Sequence, residues 1–293
     1  MRNTFSLCAL LLVGGFASAA PKPTVPGAEI LSDIAYLPEG RTEKLDLYLP
    51  KERAKDAKLP LVIFVHGGGW AKGDKADPRS NNIGEVLVSE SYAVASINYK
   101  LAPEGLGNYH ANLKAAFPQN VQDLKSAVRF FRKNADKYHL DPDRFALMGA
   151  SAGAHLAVLA AYTQADAKLE PTDDGHADTS FAVRAVVGLY GAYDWESFQK
   201  KFIKTDEDKQ LARQVSPKTW VDPRDPPTFL IHGTEDIFVN VSQTELLAKA
   251  LDDKKVPHKT VIVQGAPHSF DFRLKQHDMK ADLLPFLAEY LKK

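Results

Sequence analysis

The chain has 293 residues, 37 basic against 37 acidic side chains and 44% hydrophobic content, so it is long enough to bury its own core and carries no net charge. That balance excludes the electrostatic footprint of a nucleic-acid binder or an anionic-membrane binder. A single cysteine, Cys8, excludes a disulfide framework and a thiolate metal site.

From the start of the chain, Arg2, the apolar run over residues 5–16 and the small-residue pattern Ala17-Ser18-Ala19 predict a secretory signal peptide over residues 1–19. The run falls short of the ~20 residues that span a bilayer, so no membrane anchor is expected, and the destination is periplasmic or extracellular. Cleavage removes Cys8 and leaves no cysteine nucleophile. Residues 20–28, with Pro21, Pro23 and Pro26, read as a mobile lead-in, and residues 29–293 as one domain.

Residues 29–36 and 43–49 read as paired edge strands around the Pro38-Glu39-Gly40 turn, because Lys44 to Leu49 alternates polar and apolar. The pattern then changes to continuous apolar runs at 61–65, 93–97, 145–148, 183–190, 228–231 and 260–263, the mark of strands buried on both faces of a parallel sheet. Helices are predicted at 120–138, 152–162, 242–251 and 282–291; the first places Val121, Leu124, Val128, Phe131 and Ala135 on one face. The alternation implies an α/β fold: a central, mostly parallel, eight-stranded sheet flanked by helices, with little or no cap domain. Sites in such sheets lie beyond the carboxyl ends of the strands.

Four segments follow buried runs. Gly149-Ala150-Ser151-Ala152-Gly153 sits between a strand and a helix, the context in which G-x-S-x-G exposes a serine hydroxyl on a sharp turn. His66-Gly67-Gly68-Gly69-Trp70 offers backbone N–H groups to a developing oxyanion, with Gly68, Gly69 and Ala152 as the donors; His66 is expected to hold the loop. No Gly-Lys-Ser/Thr follows, which argues against a phosphate cradle. His232-Gly233-Thr234-Glu235-Asp236 supplies an orienting carboxylate, Asp236, with Glu235 and Asp194 as rivals. His268, in Gln264-Gly265-Ala266-Pro267-His268, is the general base, since Ser151, Asp236 and His268 follow the chain order of this turn type. Trp70, Tyr99, Trp195 and Phe270, each near a strand's carboxyl end, are expected to wall a substrate pocket. His155 is expected to pack locally. The residues near 165–179 and 197–227 are irregular, and either is a candidate lid. No clustered ligand spacing appears, so neither a catalytic metal nor a cofactor is expected.

Together these motifs, with Ile97-Asn98-Tyr99-Lys100-Leu101-Ala102-Pro103, resemble α/β-hydrolase serine esterases. The hormone-sensitive-lipase-like branch usually has Asp where this chain has Ala150. The chain more closely resembles bacterial feruloyl-esterase-like and acetylxylan-esterase-like carboxylesterases, in which the acid sits in a His-Gly-x-x-Asp segment. The resemblance implies hydrolysis of small-molecule or polysaccharide-linked esters through an acyl-enzyme. An arylformamidase-type amide hydrolase and a non-catalytic binding protein on the same fold are the alternatives.

Overall fold

In the computed structural model, which describes residues 23–163, 167–172 and 174–293, the apolar runs become neighbours in one eight-stranded sheet. The expected signal peptide lies outside the described residues. The strands are β1 (Ala28–Ala35), β2 (Lys44–Pro50), β3 (Leu59–Val65), β4 (Ala93–Ile97), β5 (Leu140–Ala150), β6 (Ala185–Leu189), β7 (Thr228–Gly233) and β8 (His258–Val263). Their spatial order is β1-β2-β4-β3-β5-β6-β7-β8, with β2 antiparallel to both neighbours and the pairs from β4 through β8 parallel. The β1–β2 pair carries a register shift between Leu31 and Ile34, where Asp33 takes a positive φ.

Alternation along the buried strands divides the core in two. Leu61, Ile63 and Val65 of β3, with Phe145 and Leu147 of β5, face one side; Val62, Phe64, Ala146 and Met148 face the other. The first face is covered by α3 (Gln119–Lys133), α4 (Ala152–Tyr162) and α8 (Ser242–Lys254). The second is covered by α1 (Pro78–Ser89) and α9 (Met279–Leu291). Each fully buried Leu, Ile or Val on these faces contributes roughly 1.5–3 kcal/mol, which is why β3 needs no polar alternation to hold its place.

Several elements lie outside the sequence expectation. α1 contains Ser80, Asn81, Asn82 and Gly84, poor helix formers, and its periodicity is hidden. It is held by the Asp77 cap and by burial of Ile83, Leu87 and Val88. α2 (Tyr109–Ala116) starts at an Asn108 cap. The stretch near 197–227 is not irregular: it holds α5 (Trp195–Phe198), α6 (Asp206–Gln214) and α7 (Pro217–Trp220), and α6 opens on a Thr205/Asp208 capping box. α3 ends at Lys133, five residues before its expected end. These short helices belong to the β6–β7 connection and form no separate cap.

Candidate active site

β5 ends at Ala150 and α4 begins at Ala152, so Ser151 alone makes the turn, at φ 55° and ψ −119°. Its N–H is tied to Leu189 O of β6 at 2.9 Å. Backbones crowd this turn. A Cβ on Gly149 would lie 2.2 Å from Gly153 O, and one on Gly153 would lie 2.1 Å from Val65 O at the end of β3. Only hydrogen fits at either place, which is the physical content of the two glycines in the motif.

The structure brings Ser151, His268 and Asp236 into one hydrogen-bonded chain. Ser151 Oγ lies 2.9 Å from His268 Nε2, and His268 Nδ1 lies 2.5 Å from Asp236 Oδ2. Both oxygens of Asp236 accept from donors: Oδ2 also meets His232 Nε2 at 3.0 Å, and Oδ1 accepts the N–H groups of Phe238 and Val239 at 2.9 Å each. Burial opposes its ionisation, but the bonds from His232, His268 and Val239 outweigh it and hold the carboxyl well below the usual carboxylate range. A carboxylate here requires N–H on His268 Nδ1, which leaves Nε2 as the acceptor facing Ser151. His232 is completed by Thr244 Oγ1 at 2.7 Å on Nδ1. Its part in fixing Asp236 was not read from the sequence, although the His-Gly-x-x-Asp spacing contains it. The rivals are elsewhere: Glu235 is exposed, and Asp194 pairs with Lys218 Nζ at 2.8 Å. Tyr190 packs edge-on against His268 at 4.8 Å and donates its hydroxyl to Phe270 O, steadying the loop that carries the histidine.

Beside Ser151 the glycine loop turns back on itself. A Cβ on Gly68, at φ 120°, would meet Lys72 O at 2.0 Å. The N–H groups of Gly68, Gly69 and Ala152 donate to no other described residue, and Gly68 and Gly69 line the same cavity as Ser151. His66 lies behind the loop. Its Nδ1 bonds to Gly67 O, and burial pushes its pKa down, favouring the neutral ring. Here one expectation is corrected. Tyr99 is not in the pocket: it is buried, stacks on the His66 ring at 4.6 Å and donates its hydroxyl to His66 O at 2.9 Å. Its ring turns under the glycine loop and clamps it from the core side.

The cavity over Ser151 has a volume of about 410 Å³. Of the expected walls only Trp70 lines it. Trp195 is 1% exposed and sits behind Trp70, edge-on at 5.0 Å, with its Nε1 donating to His110 Nδ1. Phe270 is buried against Tyr190 and turned into the second core face. The walls that sequence reading missed are Tyr109, Phe198 and Phe238; Tyr109 and Phe198 stack at 6.0 Å. Phe238 is 57% exposed two residues beyond Asp236, and an apolar Ile237-Phe238 pair in a polar loop was the legible signal. Of the two candidate lids, the 197–227 stretch brings Phe198 to the cavity. The other lies partly outside the described residues; its Glu170 and Asp174 pair with Arg129 of α3, and none of its described residues lines the cavity. Among the described residues no group of three or more His, Cys, Asp or Glu is placed to hold a metal ion, and no helix is long and apolar enough to cross a membrane.

His155 supports the floor. Trp70 Nε1 donates to its Nδ1 at 3.1 Å, and its Nε2 donates to Val215 O at 2.6 Å. Burial brings its pKa down to about 4, and a proton on Nδ1 would face the Trp70 donor. The unfolded chain takes up that proton near pH ~6.5, so the stability this site contributes is complete above that value and is lost as the pH falls toward the folded value. The expected loss is up to about 3 kcal/mol, readable as a drop in denaturant midpoint between neutral and acid pH that His155→Gln flattens. An unchanged slope in that variant would assign the acid sensitivity elsewhere.

The chain matches the BD-FAE family over residues 45–251. It is 30% identical over 268 residues to Esterase LipQ of Mycobacterium tuberculosis, covering 85% of this chain and 60% of that protein. It is 30% identical over 244 residues to a probable isoprenylcysteine alpha-carbonyl methylesterase, ICMEL1, of Arabidopsis thaliana, covering 77% of this chain and 48% of that one. The chain thus spans about half to three-fifths of the length of these curated relatives. Among solved structures it is similar to a truncated form of a carbohydrate esterase from gut microbiota, with a TM-score of 0.78, 26% identity and coverage of 92% of this chain and 99% of that one. Its fold is also that of the apo form of Thermogutta terrifontis esterase 2, with a TM-score of 0.70, 23% identity and coverage of 92% and 96%.

Proposed function

The chain belongs to the BD-FAE family of α/β-hydrolases, and from that premise we propose that it is a serine carboxylesterase working through an acyl-enzyme on Ser151. The observation that carries this reading is the unbroken chain from Ser151 Oγ through His268 to Asp236, opening into a cavity beside backbone N–H groups that donate to no described residue. His268 Nε2 takes the serine proton as Oγ attacks the ester carbonyl. Gly68, Gly69 and Ala152 hold the oxyanion, each donor being worth roughly 3–4 kcal/mol at the transition state. His268 then protonates the departing alcohol, and water repeats the sequence to free the acid.

The finer part of the proposal is an ester borne on a carbohydrate, with an acetyl or feruloyl acyl group. Tyr109, Phe198 and Phe238 give the cavity aromatic walls suited to a planar acyl group or a sugar face. Neighbouring depressions share those walls and extend the cleft both ways, adding Glu104 and Asn108 on one side and Asn240, Ser242 and Gln243 on the other. Such hydrogen-bonding rims match hydroxyl-rich substrates. Export is part of the same reading, supported by the basic start and apolar run of residues 2–19.

The test is turnover of p-nitrophenyl acetate and methyl ferulate by the folded protein. Hydrolysis of either is the expected result. A folded protein inert on both, yet active on an N-formyl aromatic amine, replaces the esterase with an amide hydrolase.

A further inference from the structure

The cavity over Ser151 is lined by Arg79 and Lys72 with no acidic counterpart in the same cavity, Glu104 belonging to the adjoining depression. Arg79 follows the Asp77 cap of α1, and its guanidinium is underused: Nη2 donates to Ser269 O at 3.3 Å, while Nε is buried without an acceptor. Among the described residues the one carboxylate within 4.0 Å is that of Asp77, at that limit, and its Oδ1 already accepts the Arg79 N–H at 2.7 Å. Lys72 is exposed and makes no ion pair with any described residue. The Arg79 side chain keeps 22% exposure and its Nη1 makes no hydrogen bond to any described residue, so the end of the guanidinium, not the buried Nε, is what a ligand oxygen can meet.

Position gives the side. Arg79 bonds to Ser269, the neighbour of His268, whose Nε2 faces Ser151 Oγ. The group that His268 must protonate is the leaving alcohol, so Arg79 flanks the alcohol half of the substrate, not the acyl half. We propose that the preferred ester carries a carboxylate on its alcohol portion, held by Arg79 with Lys72 adding to the field. The proposal rests on the serine-esterase reading and narrows its substrate class to anionic alcohols, such as an acid-bearing sugar or phenol.

Paired substrates test it: 4-acetoxybenzoate against 4-acetoxybenzamide, which differ at the leaving group by one charge. The kcat/KM ratio, corrected for the ratio of their alkaline hydrolysis rates, is expected to favour the carboxylate by roughly ten-fold, mainly through KM. It should fall toward one in Arg79→Gln, recover in part in Arg79→Lys, fall less in Lys72→Gln, and shrink as salt screens the pair at about 0.5 M NaCl. A wild-type ratio of one or less overturns the proposal whatever the variants do. So does a ratio that Arg79→Gln leaves unchanged while both rates drop together, which would make Arg79 a support for the His268 loop. Hydrolysis of both esters without preference leaves the esterase reading standing alone; a folded protein inert on both overturns this proposal, and one inert on p-nitrophenyl acetate and methyl ferulate as well removes the esterase reading with it.

Discussion

Ser151→Ala is expected to lower kcat on p-nitrophenyl acetate by about 10⁶-fold, to the residual rate that binding and oxyanion donors alone sustain. The size follows from the geometry. Without Oγ, the His268 Nε2 that lies 2.9 Å from it has no proton to take and no covalent intermediate forms. The protein should remain folded, because the turn is fixed by its backbone: Ser151 N bonds to Leu189 O, and α4 continues from Ala152 whatever the side chain. The backbone there is strained, since φ 55° with ψ −119° is a conformation that L residues rarely adopt and that costs of order 1–3 kcal/mol. Ser151→Gly should therefore be as inactive as the alanine variant yet more stable by about 1 kcal/mol, because glycine accepts that backbone freely. Burst kinetics, labelling by a fluorophosphonate and a thermal melt read these separately. Turnover by the alanine variant equal to that of the wild type would mean that another residue is the nucleophile.

Legibility in the sequence followed the strength of local signals. The parallel strands were visible because burial on both faces demands uninterrupted apolar runs, as in Leu61 to Val65. α1 was not, because Asn81, Asn82 and Gly84 carry no helical pattern and the segment is held by its contacts with the sheet. The serine, histidine and aspartate that the structure joins lie at strand ends, where position and residue type coincide. The pocket walls were misread for a related reason. Tyr99 and Trp195 do lie near strand ends, but nothing in one dimension says which way a ring turns. Tyr99 turns under the glycine loop to meet His66, and Trp195 turns behind Trp70 to meet His110. Tyr109, Phe198 and Phe238 come from helices and a loop whose approach to Ser151 is set by tertiary packing.

Asp236→Asn is expected to cost about 10⁴-fold in kcat, the loss that accompanies a wrong histidine tautomer in serine triads. Four donors converge on this carboxylate: His268 Nδ1 and His232 Nε2 on Oδ2, and the N–H groups of Phe238 and Val239 on Oδ1. An amide offers one acceptor oxygen and one donor nitrogen. If its NH₂ turns toward Phe238 and Val239, it meets two backbone donors that cannot move. If it turns toward the histidines, His268 must present a lone pair at Nδ1 and carry its proton on Nε2, where it can no longer accept one from Ser151. The second arrangement strands only side chains that are free to change tautomer, so it is the one expected, and it disables the base without emptying the site. Stability should drop as well, by about 1–3 kcal/mol, because His232 Nε2 then shares only Val239 O at 2.9 Å. Asp236 stays ionised through the acid range, its hydrogen bonds overriding the penalty of burial, so an acid limb in the wild-type rate profile does not come from this carboxylate. A rate for Asp236→Asn within ten-fold of the wild type would remove Asp236 from the triad. Neither rival could then replace it without a rearrangement: Glu235 points to solvent, and Asp194 is committed to Lys218.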